Sequence, residues 1–330
     1  MVGLDASTHD EFNVTAPPSW SYTTMETVAG NMNRLAQEIA TVMDDYLSRS
    51  RVTRWVNNSD LVVIGLGGDF VWQDLDVAGA RMQGKLQKLH RHYHAVMLHL
   101  LEGTDYKGKF TELDFDVSNL VERKYGLHDD NLVGAGQKVR DHLKQQIALL
   151  ERLYDASDGI TLLIPDTNAL LHFPSVQDWR FSDINEFSLV LTPPVMRELD
   201  EHKMGHRAES VRAKSEMLIR MFKEFGRRGN ILEGVPIVTG KVNAIAMATD
   251  PQWPKTMHDL ALNIEDDRLL ATTFEVMRAH PRSAVALVTR DLNLQIKCTM
   301  LRVPFREPPD PTPVPATVES PRLIKSDPEK

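Results

Sequence analysis

The sequence predicts an α/β domain on a parallel sheet in its second half, preceded by an all-α first half. Three observations carry this reading. Before residue 158, apolar residues recur at steps of three and four along several stretches, the spacing of amphipathic helices. Beyond residue 159, short runs such as Thr161-Leu162-Leu163-Ile164 and Ala284-Val285-Ala286-Leu287-Val288 are apolar without alternation, as strands buried on both faces are. These runs alternate with helical stretches, which implies parallel strands joined by right-handed crossovers. The expected organisation is a disordered lead over 1–23, a helical domain over 24–158, an α/β domain over 159–306 and a Pro-rich disordered tail over 307–330.

Composition narrows the class. The 330 residues leave room for two domains, and 42% hydrophobic with 25% charged residues describes an ordinary globular protein. One cysteine, Cys298, excludes an internal disulfide framework and a cysteine-built zinc site, and fits a reducing compartment. No apolar run approaches the roughly 18 residues of a membrane helix, and Met1-Val2-Gly3-Leu4-Asp5 lacks the basic start and apolar core of a signal peptide. A cytosolic protein with no membrane partner is expected. The net charge of −8 decides little about nucleic acid, because distribution outweighs the sum. Between Arg197 and Arg228 nine basic residues face six acidic ones.

In the first half, Val28, Met32, Leu35, Ile39, Val42 and Tyr46 form the stripe of a helix over 25–48. Leu61-Val62-Val63-Ile64 resembles a strand entering the glycine turn Gly65-Leu66-Gly67-Gly68. The G-x-G-x-x-G spacing fails and no G-K-[ST] follows, so a plain connection between helices is the better reading than a nucleotide loop. A helix over 77–101 carries Leu86, Leu89, Tyr93, Val96 and Leu100 on one side. His90 and His94 stand one turn apart on it, but no H-E-x-x-H pattern surrounds them, and a solvated polar face is expected. Residues 103–136 read as loops around a short helix, Val117 to Arg123. A further helix over 137–155 places Val139, Leu143, Ile147 and Leu150 in one stripe, and Ser157-Asp158-Gly159 ends it with turn chemistry. No chemistry can be named for this half; interaction with a protein partner or a second copy of the chain, regulation and substrate guidance all remain open.

In the second half, strands are expected at 160–165, 187–191 and 284–289, with shorter ones at 235–238, 242–248 and 302–305. Helices are expected from Pro193-Pro194, over 208–225 with Val211, Met217, Leu218, Met221 and Phe225 inward, over 265–279, and over 292–301. Residues 249–262 read as a loop. Four acids then occupy comparable places. Asp166 ends the first strand and Asp291 the strand Val285 to Thr289; Glu198 lies in the helix entered from the second strand, and Asp267 in the first turn of a helix. Strand ends and helix starts of a parallel sheet share one edge, where such sheets place ligands. Each acid alone is also an ordinary cap or turn residue. Converging carboxylates raise one another's pKa values, and a divalent cation relieves that repulsion. Oxygen-only ligands suit Mg²⁺ or Mn²⁺, which makes phosphodiester hydrolysis the natural reaction.

The blocks Ile164-Pro165-Asp166-Thr167-Asn168-Ala169-Leu170-Leu171, Pro194-Val195-Met196-Arg197-Glu198-Leu199-Asp200, Asp266-Asp267-Arg268-Leu269-Leu270-Ala271 and Leu287-Val288-Thr289-Arg290-Asp291-Leu292-Asn293-Leu294 resemble a PIN domain, over about 159–306. The resemblance implies a three-layer α/β/α fold and a metal-dependent ribonuclease acting on single-stranded RNA. It implies catalytic and metal-binding roles for Asp166, Glu198, Asp267 and Asp291. Asp267 rather than Asp266 is implied because the family's third acid stands three residues before an aliphatic residue followed by Ala. Asn168, Asp200, Asp266 and Thr289 are implied as auxiliary positions. Lys203, Arg207, Arg212 and Lys214, with His206, form a basic group suited to an RNA backbone. The stretch from Gly234 to Leu262 is longer than a compact domain of this kind needs. Two other readings stand beside this one: a structure-specific DNA nuclease with the same acids, and a non-catalytic RNA-binding or scaffold protein.

Overall fold

The structure, a computed structural model, describes residues 25–55, 70–128, 130–153, 160–247, 260–261 and 263–311. The expected lead over 1–23, the glycine turn at 65–68, the turn at 157–159, most of the loop over 249–262 and most of the tail fall outside them.

Among the described residues the first half holds four helices: α1 (Val28–Ser48), α2 (Val77–Leu100), α3 (Tyr106–Glu122) and α4 (Leu132–Arg152). Side chains set three of their starts. Thr27, Asp76 and Asn131 each accept a hydrogen bond from a backbone N–H three residues on, satisfying a donor the helix itself leaves unpaired. Helix α1 packs on both α2 and α4, and α3 on the same two. The α1–α4 crossing is close at Gly136: a Cβ there would stand 2.9 Å from the end of the Leu47 side chain, which would have to shift. A short antiparallel pair, β1 (Val52–Arg54) with β2 (Phe70–Trp72), leans on the bundle. Arg123, at the left-handed end of α3 (φ 53°), ties these pieces together. Its guanidinium donates to the Tyr46 hydroxyl, the Ser50 hydroxyl and the Gln73 carbonyl and lies over the Trp72 ring, a cation–π geometry.

Three expectations change here. Helix α3 is a full 17-residue helix rather than a short piece within loops. Its inward stripe of Phe110, Leu113, Val117, Leu120 and Val121 is interrupted by a carboxylate, Asp114, that is itself buried. Helix α4 starts at Leu132, five residues earlier than the periodicity indicates. The histidines of α2 do not form a solvated face: His90 is 5% exposed and His99 is 7% exposed, while His92 and His94 are half-buried.

The second half runs β3 (Thr161–Pro165), α5 (Thr167–His172), β4 (Phe187–Leu191), α6 (Pro193–Gly205), α7 (Glu209–Arg228), β5 (Val235–Val238), β6 (Val242–Ala246), α8 (Glu265–Ala279), β7 (Ala284–Val288), α9 (Leu292–Met300) and β8 (Phe305–Arg306). The sheet order is β5-β6-β4-β3-β7-β8. All neighbours pair in parallel except β5, which returns antiparallel along β6. Strands β4 and β7 are buried along their whole length, in keeping with runs that are apolar but for Ser188. In α7 the inward residues are Ser215, Leu218, Ile219, Phe222 and Phe225. Met217, expected inside, is half exposed, because the stripe that meets the sheet starts one residue later.

The division between the helical and the α/β half is not a break in packing. One apolar core runs through both halves, and α2 lies against α8. Helix α8 is therefore buried nearly all round from Leu269 to Met277. The first N–H groups of α1, at Val28 and Ala29, donate to the carbonyls of Ser283 and Pro281 at 3.1 and 3.0 Å. Arg302 reaches Glu38. Each fully buried aliphatic side chain along this seam contributes about 1.5–3 kcal/mol, so the seam joins the halves firmly. Among the described residues no helix is long and apolar enough to cross a membrane.

Candidate active site

Strand β3 leads through α5 to β4 on one side of it, whereas β7, on the other side, leads through α9 to β8. The crevice between the carboxyl ends of β3 and β7 is thus the point where the strand order reverses, the usual ligand position in open α/β sheets. Asp166 and Asp291 stand at those two strand ends.

Both are helix caps, and capping fixes where they point. Asp166 starts α5: its Oδ1 accepts the Ala169 N–H at 2.6 Å, while its Oδ2 accepts the Thr289 hydroxyl. The same Thr289 oxygen accepts the Asp291 N–H at 3.0 Å. Asp291 starts α9 by accepting from Asn293 N–H and Leu294 N–H. Glu198 comes from the second turn of α6, a helix opened by Pro193-Pro194. Its Oε2 accepts the Thr167 hydroxyl at 2.6 Å, and His202 lies one turn on, 3.9 Å from Oε1.

The acids of α8 divide. Asp166, Asn168, Glu198, Glu265, Asp266 and Asp291 line one cleft of about 60 Å³. Asp267 does not line it and is only 4% exposed. Its Oδ2 accepts the Ala261 N–H at 2.8 Å, and its Oδ1 meets Lys297 Nζ at 2.8 Å. The rotation of α8 turns Glu265 and Asp266 to the cleft and the next side chain, about 100° further round, toward Lys297 and the Ala261 N–H. Lys297 lies between them, 3.3 Å from Asp266, and the Asn293 amide donates to Asp266 at 3.1 Å. Of the two, Asp266, the implied auxiliary residue, lines the cleft and Asp267 does not.

Burial, with Glu198 and Asp291 nearby, pushes the Asp166 carboxyl up to about 6, although the Thr289 and Ala169 hydrogen bonds oppose the shift. Glu198 is raised as well, first by burial, with repulsion from Glu265 and Asp266 adding to it against the Thr167 hydrogen bond. Desolvation opposes the Lys297 charge, yet bonds to Asp267 and Asp266 raise its pKa. Behind the cleft, burial and the Asp166 charge push the Cys298 thiol up to about 12, which makes it an inert core residue.

Of the remaining expected residues, Asn168 lines the cleft and Thr289 bridges Asp166 to Asp291. Asp200 is exposed on α6 and outside the lining. Arg212 donates to the carbonyls of His206 and Arg207 and Lys214 to that of Leu171, so both shape the chain around α6 and α7. Arg207 is exposed and Lys203 half-buried. Sequence reasoning missed Thr167, Glu265 and Lys297. The first two adjoin expected acids and were within reach of the pattern; nothing in the spacing marks Lys297.

A larger cavity, about 520 Å³, lies between α3 and α4 and includes Phe115, Tyr125 and Lys138. It gathers no set of acids, so the chemistry singles out the smaller cleft. Residues 163–307 match the family model of the PIN domain. A mostly parallel sheet flanked by helices, with acids at its carboxyl edge, agrees with that match. This part of the chain is a PIN-like α/β/α domain, the fold of a family of nucleases that generally depend on a metal ion. No curated protein matches the chain.

Proposed function

We propose that the protein is a metal-dependent endoribonuclease of the cytosol that cuts single-stranded RNA, with Asp166, Glu198, Asp266 and Asp291 as the ligands of Mg²⁺ or Mn²⁺. The observation that carries this reading is the convergence of five carboxylates from four separate segments on one small cleft, with Asp166 pushed up to about 6. The donors are all oxygen, which fits these hard cations. When bound, such an ion supplies positive charge that offsets the acids, acidifies water and stabilises charge on a phosphodiester.

The chain's own residues do the positioning. Thr289 orients Asp166 and the Asp291 backbone together, and Thr167 fixes the Glu198 rotamer. Lys297 holds Asp266 in place from behind, with Asp267 as its counter-charge. Glu265 and Asn168 sit at the open edge, where they can meet an incoming backbone. Arg207 and Lys203, on the α6–α7 side, are suited to phosphates through counterion release. No side chain in the cleft has the character of a nucleophile.

The test is cleavage of end-labelled single-stranded RNA by wild type and Asp166→Asn, with Mn²⁺, Mg²⁺ or EDTA. Cutting that needs the ion and is lost in the variant supports the proposal. RNA binding without cutting in any condition points to a non-catalytic role, and cutting confined to flap DNA to a DNA nuclease.

A further inference from the structure

A second cluster lies in the helical half, where α2 faces α3. His90 and His94, one turn apart on α2, both turn toward Asp114 of α3. His90 Nε2 is 3.0 Å from Asp114 Oδ1 and His94 Nδ1 is 2.8 Å from Oδ2. The ligand atoms of the three residues lie within 4.8 Å of one another. Two ligand atoms each about 2.0–2.1 Å from one tetrahedral ion stand about 3.3 Å apart, so the two His–Asp separations would open by a few tenths of an ångström and the set, already within 4.8 Å, would close around a shared ion.

What surrounds the cluster is a supporting shell. Ser118 donates its hydroxyl to Asp114 Oδ2 at 3.0 Å. Gln146 of α4 is fully buried, with its amide nitrogen 3.5 Å from Asp114 Oδ1 and its Oε1 without a partner. The buried Tyr93 hydroxyl likewise has none, and it feels the Asp114 charge. Buried polar atoms left unpaired cost about 1–3 kcal/mol each. Two of them beside a histidine-rich cluster point to a further polar occupant there. His94 retains 37% of its side-chain exposure, which leaves a path for entry and a position open to water.

We propose that His90, His94 and Asp114 form a second metal site, specific for a zinc-class ion. Two imidazoles and one carboxylate with an open fourth position are a donor set for Zn²⁺ and its neighbours rather than for Mg²⁺. The site is separate in chemistry and place from the acid cleft, and joins α2 to α3 on the face where Gln146 of α4 supports it. It would fasten the helical half that rests on α8.

The test uses the full chain, stripped with EDTA and then equilibrated with Zn²⁺ alone, or with Co²⁺ as a spectroscopic substitute. Wild type and Asp166→Asn are expected to retain one equivalent of zinc after desalting and to give the visible bands of nitrogen-ligated Co²⁺. His94→Ala, made at the half-exposed ligand so that the fold tolerates it, is expected to bind zinc at least about tenfold more weakly; losing even a residue behind the ligands costs that much. His94→Gln serves the same purpose if the alanine variant is unstable. Equal zinc retention in wild type and the His94 variants, or no retention in wild type, overturns the site and leaves Asp114 as a hydrogen-bonded carboxylate only.

Discussion

Asp166 and Asp114 are both buried aspartates, yet their protons are held in opposite ways. Asp166 sits among other acids, and burial with that company pushes it up to about 6. For Asp114 burial acts in the same direction, but hydrogen bonds from His90 and His94, with their charges, hold it well below the usual carboxylate range. The difference teaches that burial alone does not set the state of a carboxylate; the neighbours do. In the helical half the structure supplies the partners of the acid. In the α/β half it assembles acids without supplying enough cations, an arrangement that stores repulsion for something positive to relieve.

The largest effect is expected at the repelling cluster. Asp166→Asn should lower RNA cleavage more than about a hundredfold, beyond the roughly 10–100-fold lost when a residue behind metal ligands is changed. Single-turnover assays in Mn²⁺ check this, and near-normal rates would remove Asp166 from the site.

The partnered cluster should respond in stability. Asp114→Ala leaves His90 and Gln146 facing an empty position and should cost about 3 kcal/mol, the range for breaking one side of a buried charged pair. Asp114→Asn keeps the oxygen and most of the volume and should cost less. Urea unfolding monitored by circular dichroism measures both; equal, small losses would mean that the cluster holds little together.

The two acids of α8 sharpen the comparison within one helix turn. Asp266→Asn is expected to lower cleavage tenfold or more at a cost in stability of about 1 kcal/mol or less, since its pair with Lys297 is partly exposed. Asp267→Asn is expected to do the reverse in part. It deprives Lys297 and the Ala261 N–H of their acceptor charge and costs about 1–2 kcal/mol, because hydrogen bonds to charged groups are worth about that. Cleavage rates and urea midpoints of the pair decide it. A larger loss of cleavage in Asp267→Asn would restore the order that the family resemblance implies.

How far the sequence reveals this depends on what faces the core. Strands β3, β4 and β7 were legible because a strand buried on both faces must be apolar throughout, and α8 because its stripe Leu269, Leu270, Phe274, Met277 starts at an acidic first turn. Helix α3 was not, since its core stripe holds the charged Asp114 and starts beside Gly108. A carboxylate at a core position looks like a loop residue until its two histidines, 20 and 24 residues away in the chain, are seen to meet it. The edge pairing of β5 depends on a hairpin that no periodicity specifies. The places of Asp166, Glu198 and Asp291 at strand ends and helix starts were legible; that they hold an ion is the proposal. The choice between Asp266 and Asp267 was not legible, because it rests on the rotation of α8 and on Lys297, which arrives from another helix.

The central claim is that the acid cleft is built to be strained until a cation enters it, and melting curves at pH 8 test this most directly. The sign follows from Asp166. Its folded pKa lies above its ordinary value, so the folded state loses stability as pH rises from about 3.8 toward 6, and the full cost is present above that. In EDTA at pH 8, Asp166→Asn should therefore melt above wild type, by about 1–3 kcal/mol or several degrees, and this advantage should vanish near pH 4. In saturating Mn²⁺ the order should invert, with wild type rising and the variant responding weakly. A variant that melts below wild type in EDTA, or a Mn²⁺ shift of equal size in both proteins, would contradict the account.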